Sequence, residues 1–267
     1  MKKNGGMFIK NKSGQVTIFI ILALLIVILG VLIYLFFPKI KTTIGLEAKS
    51  PPAFIQACIE EEIENNVNLL SLRGGSVNPG HYFLYDNEKI EYLCYTNEYY
   101  IPCVMQQPML KQHIEKEIVK EIESEAKECF KILKENYEND GYEVNLRVGE
   151  INAELLPKRI VLTFENSLTL EKDTTERYDT FRVVVNNNIY ELVSIANSIL
   201  NWEARFGDAE TTLYMNYYHD LKVEKLKQTD GTTIYILTDR NNENKFQFAS
   251  RSVAWPPGYA IEIKTGQ

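Results

Sequence analysis

Residues 50–75, SPPAFIQACIEEEIENNVNLLSLRGG, predict the first helix of the folded part of the chain. Ser50 is a favoured N-cap residue, and proline directly after it is tolerated in the first helical turn. Apolar side chains then recur at steps of three and four, which places them on one helix face: Phe54, Ile55, Cys58, Ile59, Ile63, Val67 and Leu70. Gly74 and Gly75 end the helix, since glycine readily adopts the left-handed C-cap conformation.

Two further elements are predicted before residue 140. The β-prone runs 82–85 and 90–95 flank the turn residues 86–89 and predict a hairpin. A long amphipathic helix follows over 109–137, with its apolar face formed at helical spacing by Ile114, Ile118, Ile122, Ala126, Cys129, Leu133 and Tyr137. Glutamate and lysine alternate on its other faces, which is typical of a solvated surface supported by salt bridges.

The second half of the chain alternates β-prone runs with two helical patterns. Helices are predicted over 189–206 and 208–218. Strands are predicted over 142–148, 159–170, 178–185, 222–227, 232–238, 245–249 and 259–264. This order indicates an α+β fold, in which an antiparallel sheet carries helices packed on it.

An uncharged apolar run precedes these elements. From Val16 to Phe37 about 22 residues carry no charge, and as a helix they would extend ~33 Å, enough to cross a bilayer core of ~30 Å. A buried core helix is disfavoured because the run lacks a polar face. A cleaved secretory signal is disfavoured because its apolar core is normally ~7–15 residues and ends in small residues. Residues 16–37 therefore predict an uncleaved transmembrane anchor whose partner is the lipid bilayer.

The charges on either side of the run predict its orientation. Four lysines and no acidic residue precede it, which favours a cytoplasmic N-terminus and an extracytoplasmic C-terminal domain. Those four lysines leave 25 of the 29 basic residues beyond residue 37, against 36 acidic residues, so the outer part carries about −11. Nucleic acids need a basic surface and are therefore not expected as partners.

The residues at the start of the apolar run resemble a known signal. Gly14, Gln15, Val16 and Thr17 are similar to an archaeal class III (type IV pilin-like) signal peptide. That resemblance implies a peptidase site between Gly14 and Gln15, after which the apolar helix stays on the mature subunit as an assembly stem. Glutamate and leucine of the pilin pattern are replaced here by Phe19 and Ala23.

The start GQVTIFII also resembles that of archaeal single-span membrane proteins whose outer domain has a cysteine-bearing helix and a Gly-Gly turn. Cys58, Gly74 and Gly75 match these features. This resemblance implies location but brings no activity.

The patterns predict five segments in chain order. A cytoplasmic basic segment (1–15) precedes the transmembrane helix (16–37), which a linker (38–50) connects to the outer part. A helical, cysteine-containing subdomain with a hairpin (51–140) is followed by a strand-rich α+β subdomain (141–267).

All four cysteines lie beyond the predicted anchor, and an even count in an extracytoplasmic domain indicates disulfides. Cys58 and Cys129 each lie on the apolar face of a long helix, so packing of the two helices would bring them together. Cys94 and Cys103 flank a short tyrosine-rich segment that can close as a loop. We predict the pairs Cys58–Cys129 and Cys94–Cys103, with free buried thiols as the alternative.

No catalytic, cofactor-binding or metal-binding residue is predicted. His81, His113 and His219 are scattered, and the short motifs of common hydrolases and phosphate-binding loops are missing from the sequence. The acidic run 60–64 lacks the Asp, Asn and Gly pattern of a calcium loop. The residues favour a non-enzymatic role and predict no cofactor.

The sequence thus predicts a membrane-anchored structural or interaction protein of the cell envelope. Its partner would be another envelope protein or a copy of itself. One alternative is a pilin-like filament subunit with a cleaved leader. A second alternative is an anchored extracytoplasmic hydrolase that uses two carboxylates in a cleft.

Overall fold

The computed structural model describes residues 21–27 and 50–254. Residues 21–27 are helical, and from residue 51 onward the described chain forms one compact unit. Within these described ranges no helix has the length and hydropathy needed to cross a bilayer. Most of the predicted span 16–37, the predicted linker up to residue 49 and the predicted cleavage position at Gly14 and Gln15 lie outside the described residues.

Helices form where the apolar periodicity predicts them. They are α1 (Pro51–Leu72), α2 (Leu110–Asn139), α3 (Ile189–Phe206) and α4 (Thr212–Tyr217). α4 is shorter than its predicted range 208–218. The backbone N–H of Ala209 donates to the Glu203 carboxylate, so this segment connects the two helices instead of continuing one.

The first sheet joins residues that are far apart in the sequence. Its strands are β1 (Tyr82–Tyr85), β2 (Glu88–Tyr95), β3 (Val104–Met105), β10 (Leu221–Lys227), β11 (Thr232–Asp239) and β12 (Lys245–Arg251). The order is β1-β2-β12-β11-β10, with β3 also paired to β2. β2 and β12 run parallel, whereas the other pairs are antiparallel as predicted. The sheet therefore combines strands from both predicted subdomains.

The remaining six strands form two three-stranded antiparallel sheets. The strands are β4 (Glu143–Arg147), β5 (Ile151–Leu156), β6 (Arg159–Phe164), β7 (Ser167–Glu171), β8 (Thr175–Tyr178) and β9 (Phe181–Val185). The chain passes from one sheet to the other between β4 and β5, between β6 and β7 and between β8 and β9, and we call the two sheets together the meander and the place where they meet its bend. On one side of the bend the strand order is β4-β7-β8, and on the other side it is β5-β6-β9. All neighbouring strands in both sheets are antiparallel. The predicted single strand 159–170 is therefore two strands, β6 and β7.

The bend depends on one close backbone approach. The Gly149 N–H donates to the Asn166 side-chain oxygen at 2.7 Å. At this point a side-chain oxygen therefore takes the place of a backbone acceptor. A Cβ atom on Gly149 would lie 2.0 Å from the Glu165 carbonyl oxygen, so only glycine fits. β5, which follows this glycine, was not among the predicted strands.

The helices cover both sheets and bury the core. α1 packs against α2, β9 and β12, while α3 packs against β11 and β12. Phe130 of α2 makes edge contacts with Phe164 and Phe181 of the meander. Isoleucines of α1 and α2 are completely buried between these layers, which is the burial that the apolar spacing predicts.

Side chains of α1 and α2 bind the two edges of the second half of the meander. On β9, Gln56 donates to the Val184 carbonyl and accepts from the Val184 N–H, each at 3.0 Å. On β5, the Leu155 N–H donates to Glu115 at 2.8 Å. Unpaired strand edges promote association with other chains, and here helix side chains satisfy edge groups on both sides.

Candidate functional site

The structure contains two disulfides, which are the pairs that the sequence predicts. Cys58–Cys129 joins α1 to α2 across a sequence separation of 71 residues. Cys94–Cys103 closes a separation of 9 residues between β2 and the segment before β3. All cysteines of the described residues are thus oxidised. The four predicted site residues form two covalent links and leave no thiol for catalysis or metal binding in this part.

A second cluster of reactive groups surrounds Ser76, directly after the Gly74-Gly75 turn. The Ser76 hydroxyl lies 2.6 Å from an oxygen of Glu91 and 2.7 Å from Nε2 of His113. Glu117, one helical turn after His113, accepts the Val77 N–H at 3.3 Å. The turn packs tightly here, because a Cβ on Gly74 would lie 2.8 Å from that of Glu91.

Burial shifts the pKa of two side chains in this cluster. It raises the pKa of Glu91, against the opposing effect of hydrogen bonds from Ser76 and Gln107. It lowers the pKa of His113, although the nearby Glu117 carboxylate acts in the other direction. Both shifts favour neutral side chains. The Ser76 hydroxyl donates to the Glu91 carboxylate, and its oxygen also lies within hydrogen-bond distance of Nε2 of His113.

The geometry of the Ser76 cluster differs from that of a serine hydrolase triad. In such a triad the acid binds the second nitrogen of the histidine and leaves the serine hydroxyl facing a substrate. Here the carboxylate of Glu91 binds Ser76 itself, and Ser76 is only 6% exposed. The arrangement links the glycine turn to β2 through Glu91 and to α2 through His113.

A third cluster is centred on Glu203 of α3, which is 1% exposed. One carboxylate oxygen accepts hydrogen bonds from the Tyr235 hydroxyl and the Ala209 N–H. The other oxygen accepts from the Ser250 hydroxyl at 3.0 Å. Burial raises the pKa of Glu203 despite these donors. Burial and the adjacent Glu203 also raise the pKa of Tyr235, so the phenol stays protonated.

Two clefts open on the described surface. The first, about 270 Å³, lies between the N-terminal turns of α3 and the start of β10, and Glu191, Asp220 and Asp239 are among its lining residues. The second, about 510 Å³, lies between α2 and the bend of the meander, where Glu123, Lys127 and Glu150 contribute. Ser76, His113 and Glu203 line neither cleft.

An exposed apolar surface lies beside the small disulfide. We define the aromatic surface as Tyr99, Tyr100, Ile101, Val104, Trp202 and Phe206, all of which are exposed. The first four come from the segment around Cys103. Trp202 and Phe206 lie on the last turns of α3, where their rings pack at a tilted angle with centroids 4.8 Å apart. α3 packs against β3, which brings the two groups to the same side of the unit.

The other residues considered from sequence serve local contacts. His81 packs against the rings of Tyr92 and Tyr95. In the acidic run of α1, Glu60 accepts from Gln56 and Glu62 accepts from Asn66. Among the described residues no group of three or more His, Cys, Asp or Glu side chains is arranged to hold a metal ion.

Comparison with known proteins identifies no relative of this chain. No protein-family model matches the chain, and neither the curated proteins nor the solved structures contain a significant match. The functional argument therefore rests on the residues and contacts described above.

The sequence does not identify Ser76, Glu91 or Glu203 as candidate site residues. A single serine in a turn and single glutamates in a strand and a helix have no motif of their own. One usable signal was the apolar surroundings of Glu91 in EKIEYLCY, since a carboxylate on the buried side of a strand needs a partner.

Proposed function

We propose that this chain is a membrane-anchored structural or interaction protein of the cell envelope, with its folded domain outside the cytoplasm. Residues 16–37 would hold it in the bilayer with the N-terminus in the cytoplasm. The domain would act by contact with another envelope protein or with copies of itself.

The two disulfides are the observation that carries this proposal. Disulfides persist in oxidising compartments and are rare where glutathione and thioredoxin keep thiols reduced. Both bonds form between pairs that the fold brings together, and three of the four cysteines, Cys94, Cys103 and Cys129, are buried. Four lysines and no acidic residue precede the apolar run, whereas Lys39, Lys41 and Glu47 follow it, and this bias supports placing the domain on the oxidising far side of the membrane.

The contacts of the buried acids support a non-enzymatic role. Glu91 and Glu203 are each held by hydroxyl groups inside the domain, at a distance from solvent. Their hydrogen bonds connect a turn to a strand in one case and α3 to β11 and β12 in the other. Side chains used in this way fix the shape of a binding domain.

Thiol trapping in the native cells tests the proposal. Cells are lysed in acid with an alkylating agent, and the protein is digested without reduction. We expect the peptides Cys58–Cys129 and Cys94–Cys103 to be recovered joined and unalkylated. Recovery of all four cysteines in alkylated form would contradict an extracytoplasmic location.

Hydrolysis is a second candidate because Ser76 lies 2.7 Å from a histidine nitrogen. This candidate predicts that a fluorophosphonate probe labels the folded chain and that Ser76→Ala abolishes the labelling. The interaction proposal predicts no labelling, because the hydroxyl is buried and is shared with Glu91. Labelling at Ser76 would favour the hydrolase.

A further inference from the structure

The edge strand β1 of the first sheet lacks the usual protection against pairing with other chains. Its sequence YFLY contains no charged residue and no proline. Natural edge strands are shielded by charge, proline or a covering element, because an open edge is a template for another strand. In the part of the chain that the structure describes, every other edge strand of four or more residues carries at least one charged side chain: β4, β5, β8, β9 and β10. β1 is the exception.

The hairpin turn after β1 determines which of its backbone groups face outward. Asp86 and Asn87 both have positive φ, at 47° and 69°, which is typical of a two-residue hairpin turn. Tyr85 and Glu88 are the directly opposed residues beside this turn, and they form a hydrogen-bonded pair. Hydrogen-bonded and non-hydrogen-bonded pairs then alternate along the two strands.

This alternation leaves Tyr82 and Leu84 with their backbone N–H and C=O groups on the outer side of β1. The Tyr92 N–H donates to the His81 carbonyl at 3.0 Å, so His81 faces β2 and the next residue faces away. Within the described residues no hydrogen bond joins these outer groups to another element. The side chains are exposed as well, Tyr82 by 40% and Leu84 by 62%.

We propose that β1 pairs antiparallel with β1 of a second copy of this chain. A two-fold axis at Phe83 places Tyr82 of each copy opposite Leu84 of the other. The outward backbone groups of the two copies then face each other, and each of these opposed pairs exchanges both N–H···O bonds. The first sheets of the two copies become one continuous sheet.

The side chains of β1 are self-complementary in this register, and this property selects a second copy as the occupant. On one face of the sheet Tyr82 lies opposite Leu84. On the other face Phe83 lies opposite Phe83, and His81 lies opposite Tyr85. Aromatic and aliphatic cross-strand pairs stabilise a sheet, and the register puts no like charges opposite each other.

The surroundings of β1 provide an apolar layer to extend and space for a second strand. Phe83 and Tyr85 pack against a buried cluster of the same sheet that includes Ile90, and the pairing continues this layer across the two-fold axis. A Cβ atom on Gly80, just before β1, would meet no atom within 4 Å. The register places the turn residue Asp86 of the second copy opposite Gly80, where the space is open.

The inference rests on the proposed function in one respect, because it names a copy of the same chain as the partner of the domain. It does not depend on the compartment in which the domain lies. Its test uses purified protein, so failure of the self-pairing is distinguishable from failure of the proposed location, which thiol trapping in cells measures.

Disulfide trapping in the purified full chain tests the register. Phe83→Cys places a thiol on the two-fold axis, where opposed residues of a non-hydrogen-bonded pair have Cα atoms about 4.5 Å apart, within reach of a disulfide. We expect mild oxidation with copper phenanthroline to give a covalent dimer. Leu84→Cys should not, because its two copies lie about two residues apart along the strands, with Cα atoms more than ~7 Å apart. Leu213→Cys on α4, 63% exposed, is the matched surface control.

A second substitution separates strand pairing from chance collision. Leu84→Pro removes the outward N–H and leaves the hydrogen bonds between β1 and β2 in place, because proline is tolerated where an edge N–H faces away from the sheet. Added to Phe83→Cys, it should lower the crosslinked fraction by about tenfold, since each copy loses a hydrogen bond. Leu84→Ala keeps the N–H and should lower the fraction less. Intact Cys58–Cys129 and Cys94–Cys103 peptides in the non-reducing map show that each variant is folded.

The remaining outcomes overturn the proposal. They include a folded Phe83→Cys chain that stays monomeric at every protein concentration, and a crosslink that Leu84→Pro leaves unchanged. Equal crosslinking of Leu84→Cys or Leu213→Cys shows random collision and has the same consequence. In an extract of the native cells, a crosslink from Phe83→Cys to a different protein, without a dimer of this chain, assigns the edge to a strand of that protein and likewise overturns the self-pairing.

Discussion

At the scale of single residues, buried carboxylates connect elements that are distant in the sequence. Glu203 accepts from Tyr235 and Ser250, and thereby joins α3 to β11 and β12. Burial raises its pKa, so its ionised form is less favourable in the folded chain than in water. A buried carboxylate of this kind holds three elements in position, but it lowers the stability of the fold by an amount that depends on pH.

The first prediction concerns this dependence. Because the folded pKa of Glu203 is raised, the unfolded chain loses its proton first, and stability falls as pH rises from the ordinary carboxyl pKa of about 4.3 toward the folded value. Gln at this position does not ionise and keeps an acceptor for Tyr235 and Ala209. Relative to wild type, the free energy of unfolding of Glu203→Gln should therefore increase as the pH rises above about 4, by at most about 1.4 kcal/mol per pH unit.

Urea unfolding of both proteins at several pH values measures this difference. Comparison at each pH cancels the contribution of Glu91, whose pKa is also raised by burial. A constant difference between the two proteins across this range would show that Glu203 titrates normally.

Single residues also mark the limit of sequence-based prediction. The cysteine pairs could be predicted, because Cys58 and Cys129 both fall on apolar helix faces whose packing brings them together. The Ser76 cluster could not, because its three partners come from a turn, a strand and a helix with no shared motif. Only the tertiary fold brings these groups within hydrogen-bond distance.

At the scale of elements, α1 and α2 both pack on the meander and satisfy its edges. Gln56 of α1 binds both backbone groups of Val184, and Glu115 of α2 accepts from Leu155. Each contact replaces a missing neighbouring strand.

The second prediction tests these two contacts separately by amide hydrogen exchange. Gln56→Ala removes the partner of the Val184 N–H, and a hydrogen bond worth about 1 kcal/mol implies roughly fivefold faster exchange at that amide. Glu115→Ala should accelerate exchange at Leu155 to a similar degree and leave Val184 unchanged. Each variant is the control for the other, and equal acceleration at both amides in either variant would indicate general destabilisation instead of a local edge contact.

The third prediction compares the two disulfides. In the loop-entropy model the separation of 71 residues makes Cys58–Cys129 worth about 4 kcal/mol, whereas the separation of 9 makes Cys94–Cys103 worth about 3 kcal/mol. The double variant Cys58→Ser with Cys129→Ser should therefore lower Tm more than Cys94→Ser with Cys103→Ser, at roughly 2–4 °C per kcal/mol. Thermal melts of the two variants at equal concentration measure the order, and the reverse order would contradict the model.

The positions of strands could be predicted better than their pairing. Alternation and β-propensity identify 82–85, 90–95 and 232–238 within a few residues of the observed strands. The parallel pairing of β2 with β12 leaves no local signal, because it joins residues separated by most of the domain. The bend in the meander depends on contact between Gly149 and Asn166, so the continuous β pattern at 159–170 does not reveal it.

At the scale of the whole molecule, the central claim is that a folded, disulfide-bonded domain is held outside the cell by an N-terminal anchor. The domain is acidic and keeps its four cysteines in two disulfide bonds. The lysines before the apolar run favour a cytoplasmic N-terminus. Location is therefore the property on which the proposed function depends most.

Protease treatment of intact cells that carry the chain with a C-terminal tag tests this claim most directly. We predict that the tag and the domain are digested and that a small fragment containing residues 16–37 stays in the membrane. A cytoplasmic marker protein must stay intact in the same sample. Protection of the full-length chain in intact cells, with digestion only after lysis, would contradict the account.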